Sequence, residues 1–423
     1  MKADAVICGA GIAGVATAYQ LVQNFGLKRV VIVDPLPPLT LTSDKSTECY
    51  RNWWPNAPMV GLMNRSIDLL EELARQTHNT FHMTRQGYLY VTADPNRLSQ
   101  MAAEAQLITS LGGGPFDLYE TGPELLARFP FLTQSSVGGL HARRAGWFSA
   151  QQLGAYMLDQ ARDRGAELVK GRVVGVEIVG GRVGEVATDV GKVEAPIFVD
   201  AAGPMLNDVA RMLGAELPVH SEVHIKVAFR DHAAIIPRSS PMMIWSDPQS
   251  IDWTPEERSW LTEQDRGDLL GVMPAACHYR PEGGVESQWV VGLWEYHRIV
   301  QEPTWPLPED PLYPETVLRG LTTAVPGLSI YRDRLPQPVV DGGYYTKTAE
   351  NRPLIGRLPI EGAFVVGAFS GFGVMAAAGA GELAAQIITD SPLPDYAPAF
   401  SPDRYQDPDY LMEISMLTTT GQI

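Results

Sequence analysis

The chain has 423 residues, 45 % of them hydrophobic, with 33 Lys and Arg against 49 Asp and Glu, a formal net charge of −16. That length leaves room for two domains at about 100–200 residues each, and the composition is that of a water-soluble globular protein. The acidic balance argues against nucleic acid or an anionic membrane as a partner.

An apolar run, Ala5-Val6-Ile7-Cys8, leads into Gly9-Ala10-Gly11-Ile12-Ala13-Gly14, and Asp34 closes a second apolar run from Val30 to Val33. Over residues 3–36 this predicts strand, glycine turn, helix, strand and acid, the full dinucleotide-binding fingerprint. Gly9 allows the tight turn, Gly11 lets the backbone approach a pyrophosphate, and Gly14 lets the helix pack against the strand. The helix start offers free N–H groups to phosphate. Asp34 would accept hydrogen bonds from ribose hydroxyls and repel a 2′-phosphate.

A polar loop, Thr40 to Tyr50, follows. A helix is predicted around Asn64–Gln76 from Ile67, Leu70 and Leu73, a strand over Gly87–Thr92, and a helix over 95–112 after Asp94-Pro95. Ser149 reads as the N-cap of a helix that stops at Gly165. Strands are expected at Glu167–Val169, Arg172–Val179, Arg182–Thr188 and Ala195–Asp200, with Gly180-Gly181 as a hairpin turn. The last ends in Asp200-Ala201-Ala202-Gly203-Pro204, and a helix runs on to about Leu213. From Val223 to Leu335, Pro and Trp become frequent, and Trp245, Trp253, Trp260, Trp289, Trp294 and Trp305 fall here. This predicts a second domain on an antiparallel sheet.

Near the end, Thr346-Lys347-Thr348-Ala349-Glu350-Asn351-Arg352-Pro353-Leu354-Ile355-Gly356 precedes Phe364-Val365-Val366-Gly367-Ala368-Phe369-Ser370-Gly371-Phe372-Gly373. A strand runs into a glycine loop that opens the helix Val374–Ile388, whose start is electropositive. The stretch Ala363–Ile388 is long enough for a membrane span, but its five glycines and Glu382 predict a buried strand, loop and helix. Pro392 to Pro408 is expected to wrap the surface. Cys8, Cys49 and Cys277 lack metal-ligand spacing, so no metal site and a reducing compartment are expected. No signal peptide fits ahead of the first strand. The expected location is the cytoplasm.

These pieces together resemble the D-amino-acid oxidase superfamily, above all its sarcosine oxidase and glycine oxidase branch. The matching parts are the GAGIAG turn with Asp34, Ala201-Ala202-Gly203, the ENRPLIG turn, the GAFSGFG loop, and the order of elements from Gly146 to Val219. The resemblance implies an α/β fold. A Rossmann-like FAD-binding domain would be assembled from 1–85, 146–222 and 336–423. An α+β substrate domain built on an antiparallel sheet would comprise 86–145 and 223–335. FAD would lie extended against Gly9, Gly11, Ile12, Ala13, Gly14, Asp34, Arg51, Val174, Ala202, Gly203, Gly371, Phe372, Gly373, Val374 and Met375. The last helix would stabilise negative charge on the N1–C2=O edge of the reduced flavin.

The departures carry as much information. The family loop GxSGHG is followed by a lysine that holds the substrate carboxylate; here Phe372 replaces the histidine and Met375 stands at the lysine. Gly343 occupies the position of a cysteine that can bond to flavin, which implies non-covalent FAD. Trp289-Val290-Val291-Gly292 aligns with a strand that carries an oxygen-activating lysine near flavin N5, and has none. Oxygen use is thus in doubt, with Lys347, Lys226 and His278 as substitutes for that cation. In Thr47-Glu48-Cys49-Tyr50-Arg51-Asn52-Trp53-Trp54 the resemblance places Arg51 beside the flavin ring, to stabilise its anion or hold an acidic group; the alternative is a surface arginine. Tyr345 matches a tyrosine facing substrate, or is a strand tyrosine with a satisfied hydroxyl. His278 and His297 face the pocket or are structural. Trp53 and Trp54 read as core, and a cap tryptophan lining the pocket would favour a bulky substrate.

The expected function is an FAD-dependent enzyme that oxidises a C–N bond of an amine or amino acid, such as a secondary amine or N-substituted amino acid. Hydride would pass to flavin N5, with Arg51, Tyr345, Lys347 and His278 as catalytic candidates. The partners would be a small-molecule substrate and either O2 or an electron carrier. Two alternatives remain open: an FAD-dependent 2-hydroxy acid dehydrogenase and a non-catalytic FAD-bound assembly factor.

Overall fold

The computed structural model describes residues 1–296 and 299–416; His297 lies outside them. The architecture is α/β, and two sheets carry it. The first has six strands in the order Leu354–Arg357, Ala363–Gly367, Phe198–Asp200, Ala5–Cys8, Val30–Asp34 and Ala166–Lys170. The first two pair antiparallel and the rest are parallel. Ala5–Cys8 and residues 30–33 of this sheet are continuous apolar runs because both faces are covered, one by helices and the other by the small sheet of Val173–Val179, Arg182–Thr188 and Gly191–Glu194 with the helix Leu206–Met212.

The helices Ile12–Gln23 and Gly373–Ile388 pack against each other on one face. Their contact is made of small residues: a Cβ added at Gly381 would stand 2.7 Å from the Ala16 carbonyl carbon. Close backbone approach, rather than lipid, explains the apolar Ala363–Ile388 stretch. No helix among the described residues is long and apolar enough to cross a membrane.

The second sheet has nine strands. In order these are Ile299–Val300, His220–Arg230, Trp289–Leu293, Cys277–Pro281, Met242–Trp245, Tyr88–Thr92, Gly138–Ala142 and Phe116–Tyr119, and Val339–Lys347 pairs with His220–Arg230. It is antiparallel except where Met242–Trp245 runs parallel to Tyr88–Thr92. His220–Arg230 and Val339–Lys347 start or lie outside 223–335, so the sheet reaches across the boundaries drawn from sequence and delivers its own strands to the neighbourhood of the glycine turns.

Several elements follow their local signals. Ser149 caps Ala150–Asp163 by accepting from the Gln152 amide, and Gly165 beyond it has φ +110°. Val173–Val179 and Arg182–Thr188 form the hairpin over Gly180-Gly181. Other elements differ. The helix predicted from Asn64 begins at Ala57, capped by Asn56, whose side chain accepts from the Met59 amide. Helices Gly122–Arg128, Pro255–Glu263 and Tyr313–Ala324 were not anticipated. The tail beyond Pro392 is not merely surface: Phe400 is fully buried, and Arg404 is buried on Glu350.

Candidate active site

The carboxyl ends of the parallel strands open onto a cleft lined by Gly9, Gly11, Ile12, Ala13, Asp34, the 36–43 loop, Ala201–Pro204 and the loop before the last helix. Such crevices are where open α/β sheets bind ligands. The glycine turn is built for its task. A Cβ on Gly9 would stand 2.3 Å from Ala201 O, and one on Gly14 would stand 2.0 Å from Gly9 O, whereas one on Gly11 would meet only Ser43 Oγ at 3.4 Å. Two glycines therefore hold the backbone together and the third keeps the cleft open. Ser43 Oγ accepts from the Ile12 amide at 3.0 Å, a hydroxyl poised at the helix start. Asp34 accepts from the amides of Ala10 and Leu36, both at 2.8 Å, which fixes its carboxylate at the cleft.

On the opposite wall, Gly371 has φ +92°, and a Cβ there would stand 2.2 Å from Tyr345 Cε2. Ala368, Ser370 and Glu48 take positive φ without being glycine, each at a cost of about 1–3 kcal/mol. The Gly373–Ile388 helix starts with no side-chain cap and no acidic residue in its first turn. Its free N–H groups and positive dipole end face the cleft.

A second, smaller cavity adjoins the first through Tyr345, Gly371 and Val374, and is also lined by Glu48, Arg51, His278, Glu295, Phe372 and Met375. Arg51, 4 % exposed, lies over the Trp54 ring at 4.7 Å and near Tyr88 at 5.8 Å. Trp54 in turn meets Phe372 edge-on at 4.8 Å, so a buried aromatic stack aims the guanidinium. Burial lowers the pKa of His278, and its Nδ1 is engaged by Ala276 O at 2.7 Å. It is a neutral imidazole at neutral pH. Burial pushes Glu48 up against the pull of Arg280. Burial would also raise Glu295, but the His224 imidazole 2.9 Å away prevails and holds the carboxyl at about 2. Among the described residues, no tryptophan lines this cavity.

The two cavities bring together most residues singled out from the sequence. Gly9, Gly11, Ile12, Ala13, Asp34, Ala202, Gly203 and Gly373 line the first; Arg51, Phe372, Met375 and His278 line the second; Tyr345, Gly371 and Val374 line both. Gly14 sits behind the turn. Val174 is 54 % exposed on its strand and borders neither cavity. Lys347 is buried with its Nζ 2.6 Å from Glu222 Oε2, and Lys226 Nζ donates to Ser46 O at 2.8 Å. Neither ammonium borders either cavity, and Arg51 is the only Lys or Arg among their described lining residues. Ser43, Glu48 and Glu295 escaped the sequence reading. Glu48 lay inside a quoted motif and Glu295 two residues from a quoted histidine, but neither has a local signal until the strands are paired.

A family profile described as DAO, FAD dependent oxidoreductase, matches residues 4–387. The chain belongs to this family. It is 24 % identical over 420 residues to human peroxisomal sarcosine oxidase, covering 93 % of this chain and 94 % of that one. Similarity to human mitochondrial dimethylglycine dehydrogenase is 25 % over 221 residues, and spans only 25 % of that longer protein. Among solved structures, L-proline dehydrogenase from P. horikoshii superposes with a TM-score of 0.78 at 21 % identity, covering 96 % of this chain and 98 % of that one. Glycine oxidase from Geobacillus kaustophilus gives 0.76 at 17 %, covering 95 % and 98 %. As a DAO-family member the protein is an FAD-dependent oxidoreductase. The first cleft fits the cofactor: an open Gly11, the helix N–H groups that follow Ile12 for pyrophosphate, and a fixed Asp34 for ribose.

Proposed function

We propose that the protein dehydrogenates a C–N bond of an amine or amino acid, with secondary amines and N-substituted amino acids as the first candidates. Human sarcosine oxidase and dimethylglycine dehydrogenase, named for such compounds, are among its relatives. The observation that carries the reading is that Arg51 and Glu295 line one cavity. A carboxylate kept ionised suits a substrate ammonium, and the guanidinium suits a carboxylate or the negative charge that develops beside it. A 2-hydroxy acid has no ammonium for Glu295 to hold.

FAD, bound without a covalent link because Gly343 offers no nucleophile, supplies the hydride acceptor at N5. Gly9, Gly11, Ile12, Ala13, Asp34, Ala202 and Gly203 hold its adenosine diphosphate half, and Gly371 to Met375 hold its ring. Segments 1–85, 146–222 and 336–423 build this unit, and 86–145 with 223–335 cap it, the Val339–Lys347 strand serving both. Tyr345 closes the wall between cofactor and substrate, and Arg51 orients the substrate. Neutral His278 adds a hydrogen-bonding edge without a competing charge. Met375 and Phe372 leave the cavity less cationic than the family pattern, which favours substrates larger or less acidic than glycine. With Lys226 and Lys347 engaged elsewhere, we favour an electron carrier over O2 as acceptor.

An anaerobic spectrum of the FAD-loaded protein, titrated with amino acids, secondary amines and 2-hydroxy acids, tests this. Bleaching of the flavin band by an amine supports it, and readmitted air then distinguishes oxygen from a carrier. Bleaching by 2-hydroxy acids alone, or by nothing while dithionite still reduces the flavin, overturns it.

A further inference from the structure

Alternate residues of a β-strand share a face. On His220–Arg230 this puts His220, Glu222 and His224 in one row. The antiparallel neighbour sets Lys347 opposite His220 and Tyr345 opposite Glu222. Glu295, on the cavity wall, places Oε1 2.9 Å from His224 Nδ1. His224 Nε2 lies 3.3 Å from Glu222 Oε2, and Glu222 Oε1 lies 3.3 Å from His220 Nε2. The His224 and Glu222 side chains are 4 % and 5 % exposed, whereas that of His220 is 39 % exposed. The row thus begins at the substrate cavity, crosses the buried sheet and ends in solvent.

We propose that Glu295, His224, Glu222 and His220 form a proton conduit between the substrate cavity and the protein surface. The proposal rests on the amine reading above: an ammonium substrate gives up a hydride from carbon and one proton from nitrogen, and a substrate filling the cavity leaves that proton no direct route to water. The N–H proton passes to the Glu295 carboxylate while the electron pair of that bond stays on nitrogen. The Nε2 proton of His224 passes to Glu222, then to His220, and leaves at the surface. One proton enters the row, one leaves it, and the charge of the row is unchanged. When product leaves and water re-enters the cavity, Glu295 releases its proton to that water, and a proton returning by way of His220 and Glu222 restores the His224 imidazolium.

The electrostatics make the two ends interdependent. Glu295 is a weak base because the imidazolium faces it; once His224 gives up its Nε2 proton, the half-buried carboxylate gains affinity for a proton. Burial opposes a charged His224, but Glu295 and Glu222 hold its pKa up. Lys347, 2.6 Å from Glu222 Oε2, returns that carboxylate to its anionic form. Tyr345 stacks on His224 and fixes the plane of its ring. Facing Glu295 from Cys277–Pro281 is His278, which is neutral. Such buried ion clusters contribute little net stability compared with packed apolar residues, and stability alone would not need an end at the surface. Among the described residues, no three His, Cys, Asp or Glu are arranged to hold a metal ion.

The first test needs no substrate. FAD-loaded protein labelled with 15N in its histidine rings is titrated by NMR as wild type and as Glu295→Gln, with His220→Asn and His224→Asn for assignment. The conduit requires the His224 midpoint to fall and that of His220 to shift with it. Unchanged curves in Glu295→Gln overturn the proposal. The second test follows an anaerobic turnover with a pH-indicator dye, using whichever amine bleaches the flavin. His224→Asn should slow proton release about a hundredfold, the lower end for positioned proton transfer. His220→Asn should delay release behind bleaching, with recovery in added imidazole. Release that keeps pace with bleaching in both variants overturns the conduit and spares the amine reading. Absence of bleaching by any amine overturns that reading, and the NMR coupling then decides the conduit alone.

Discussion

The imidazole of His224 lies flat on the phenol ring of Tyr345, with ring centroids 3.7 Å apart and planes 16° from parallel. Tyr345 forms part of the wall of both cavities. The stack therefore joins the cofactor cleft to the ionic cluster of Glu295, His224, Glu222 and Lys347.

That cluster sets a pH dependence of stability. Glu295 has a lowered pKa in the fold, so its contribution is present above its unfolded value of about 4.3 and is lost as pH falls towards about 2. His224 has a raised pKa, so its contribution is complete below about 6.5 and fades as pH rises through the folded value. The difference in thermal midpoint between wild type and Glu295→Gln should thus be largest between about pH 4.5 and 6.5. A difference independent of pH would show that the pair is not ionised in the fold.

The glycine turn separates folding from cofactor binding. In Gly14→Ala the new methyl would meet Gly9 O at 2.0 Å, and the apoprotein should lose more than about 2 kcal/mol. In Gly11→Ala the nearest atom is Ser43 Oγ at 3.4 Å and φ is −71°. The apoprotein should stay within about 1 kcal/mol of wild type, since reduced unfolded-state freedom offsets a poorer cap, yet lose FAD. Thermal melts and flavin fluorescence titrations read the two effects apart.

Arg51 owes its aim to Trp54 and Phe372. Arg51→Met should keep FAD and lower kcat/KM by about 10²–10³, the usual loss for a donor placed where charge develops. Arg51→Lys should recover little, because an ammonium cannot stack as a planar guanidinium does. Rapid-reaction flavin reduction would show the loss directly.

The tail is fastened by Arg404, which donates to Glu350 Oε1 from Nε at 3.1 Å and Nη2 at 2.8 Å, while the hydroxyls of Tyr405 and Tyr410 donate to the same oxygen at 2.7 Å. Arg404→Met leaves a buried carboxylate without its cation and should cost about 3–5 kcal/mol. Urea unfolding would measure it, and FAD release should come early in that transition, since Glu350 opens the turn leading to the Leu354–Arg357 strand.

The cofactor half of the site was legible in the sequence because it is made of local geometry: glycines at a turn, an acid at a strand end, a glycine loop before a helix. The start of the Ala57–Gln76 helix was not, since Pro58 and Gly61 are poor helix formers. Pro58 suits a first turn, and Gly61 makes room for the Tyr396 ring, 2.6 Å from where a Cβ would stand. The Gly138–Ala142 strand was hidden likewise; its first two glycines admit the carbonyls of Tyr119 and Tyr90 at 2.5 Å. The substrate half depends on pairing between strands far apart in sequence. His220-x-Glu222-x-His224 has the period of a strand, but nothing local says that Lys347 and Glu295 complete it. For the same reason Lys347 looked like a flavin cation until its partner across the sheet was visible.

The central strand Ala5–Cys8 is flanked by Val30–Asp34 and Phe198–Asp200, with Ala363–Gly367 beyond, and Gly373–Ile388 lies over Ile12–Gln23. On the ribosome this order imposes a wait. The phosphate-binding turn emerges well before the helix Gly373–Ile388 that packs upon it. At about 5–20 residues per second the interval is roughly 20–70 s. During it the nascent chain exposes the apolar faces of Ile12–Gln23 and of an unfinished sheet, a window in which aggregation competes with folding and FAD has only half of its cleft to bind.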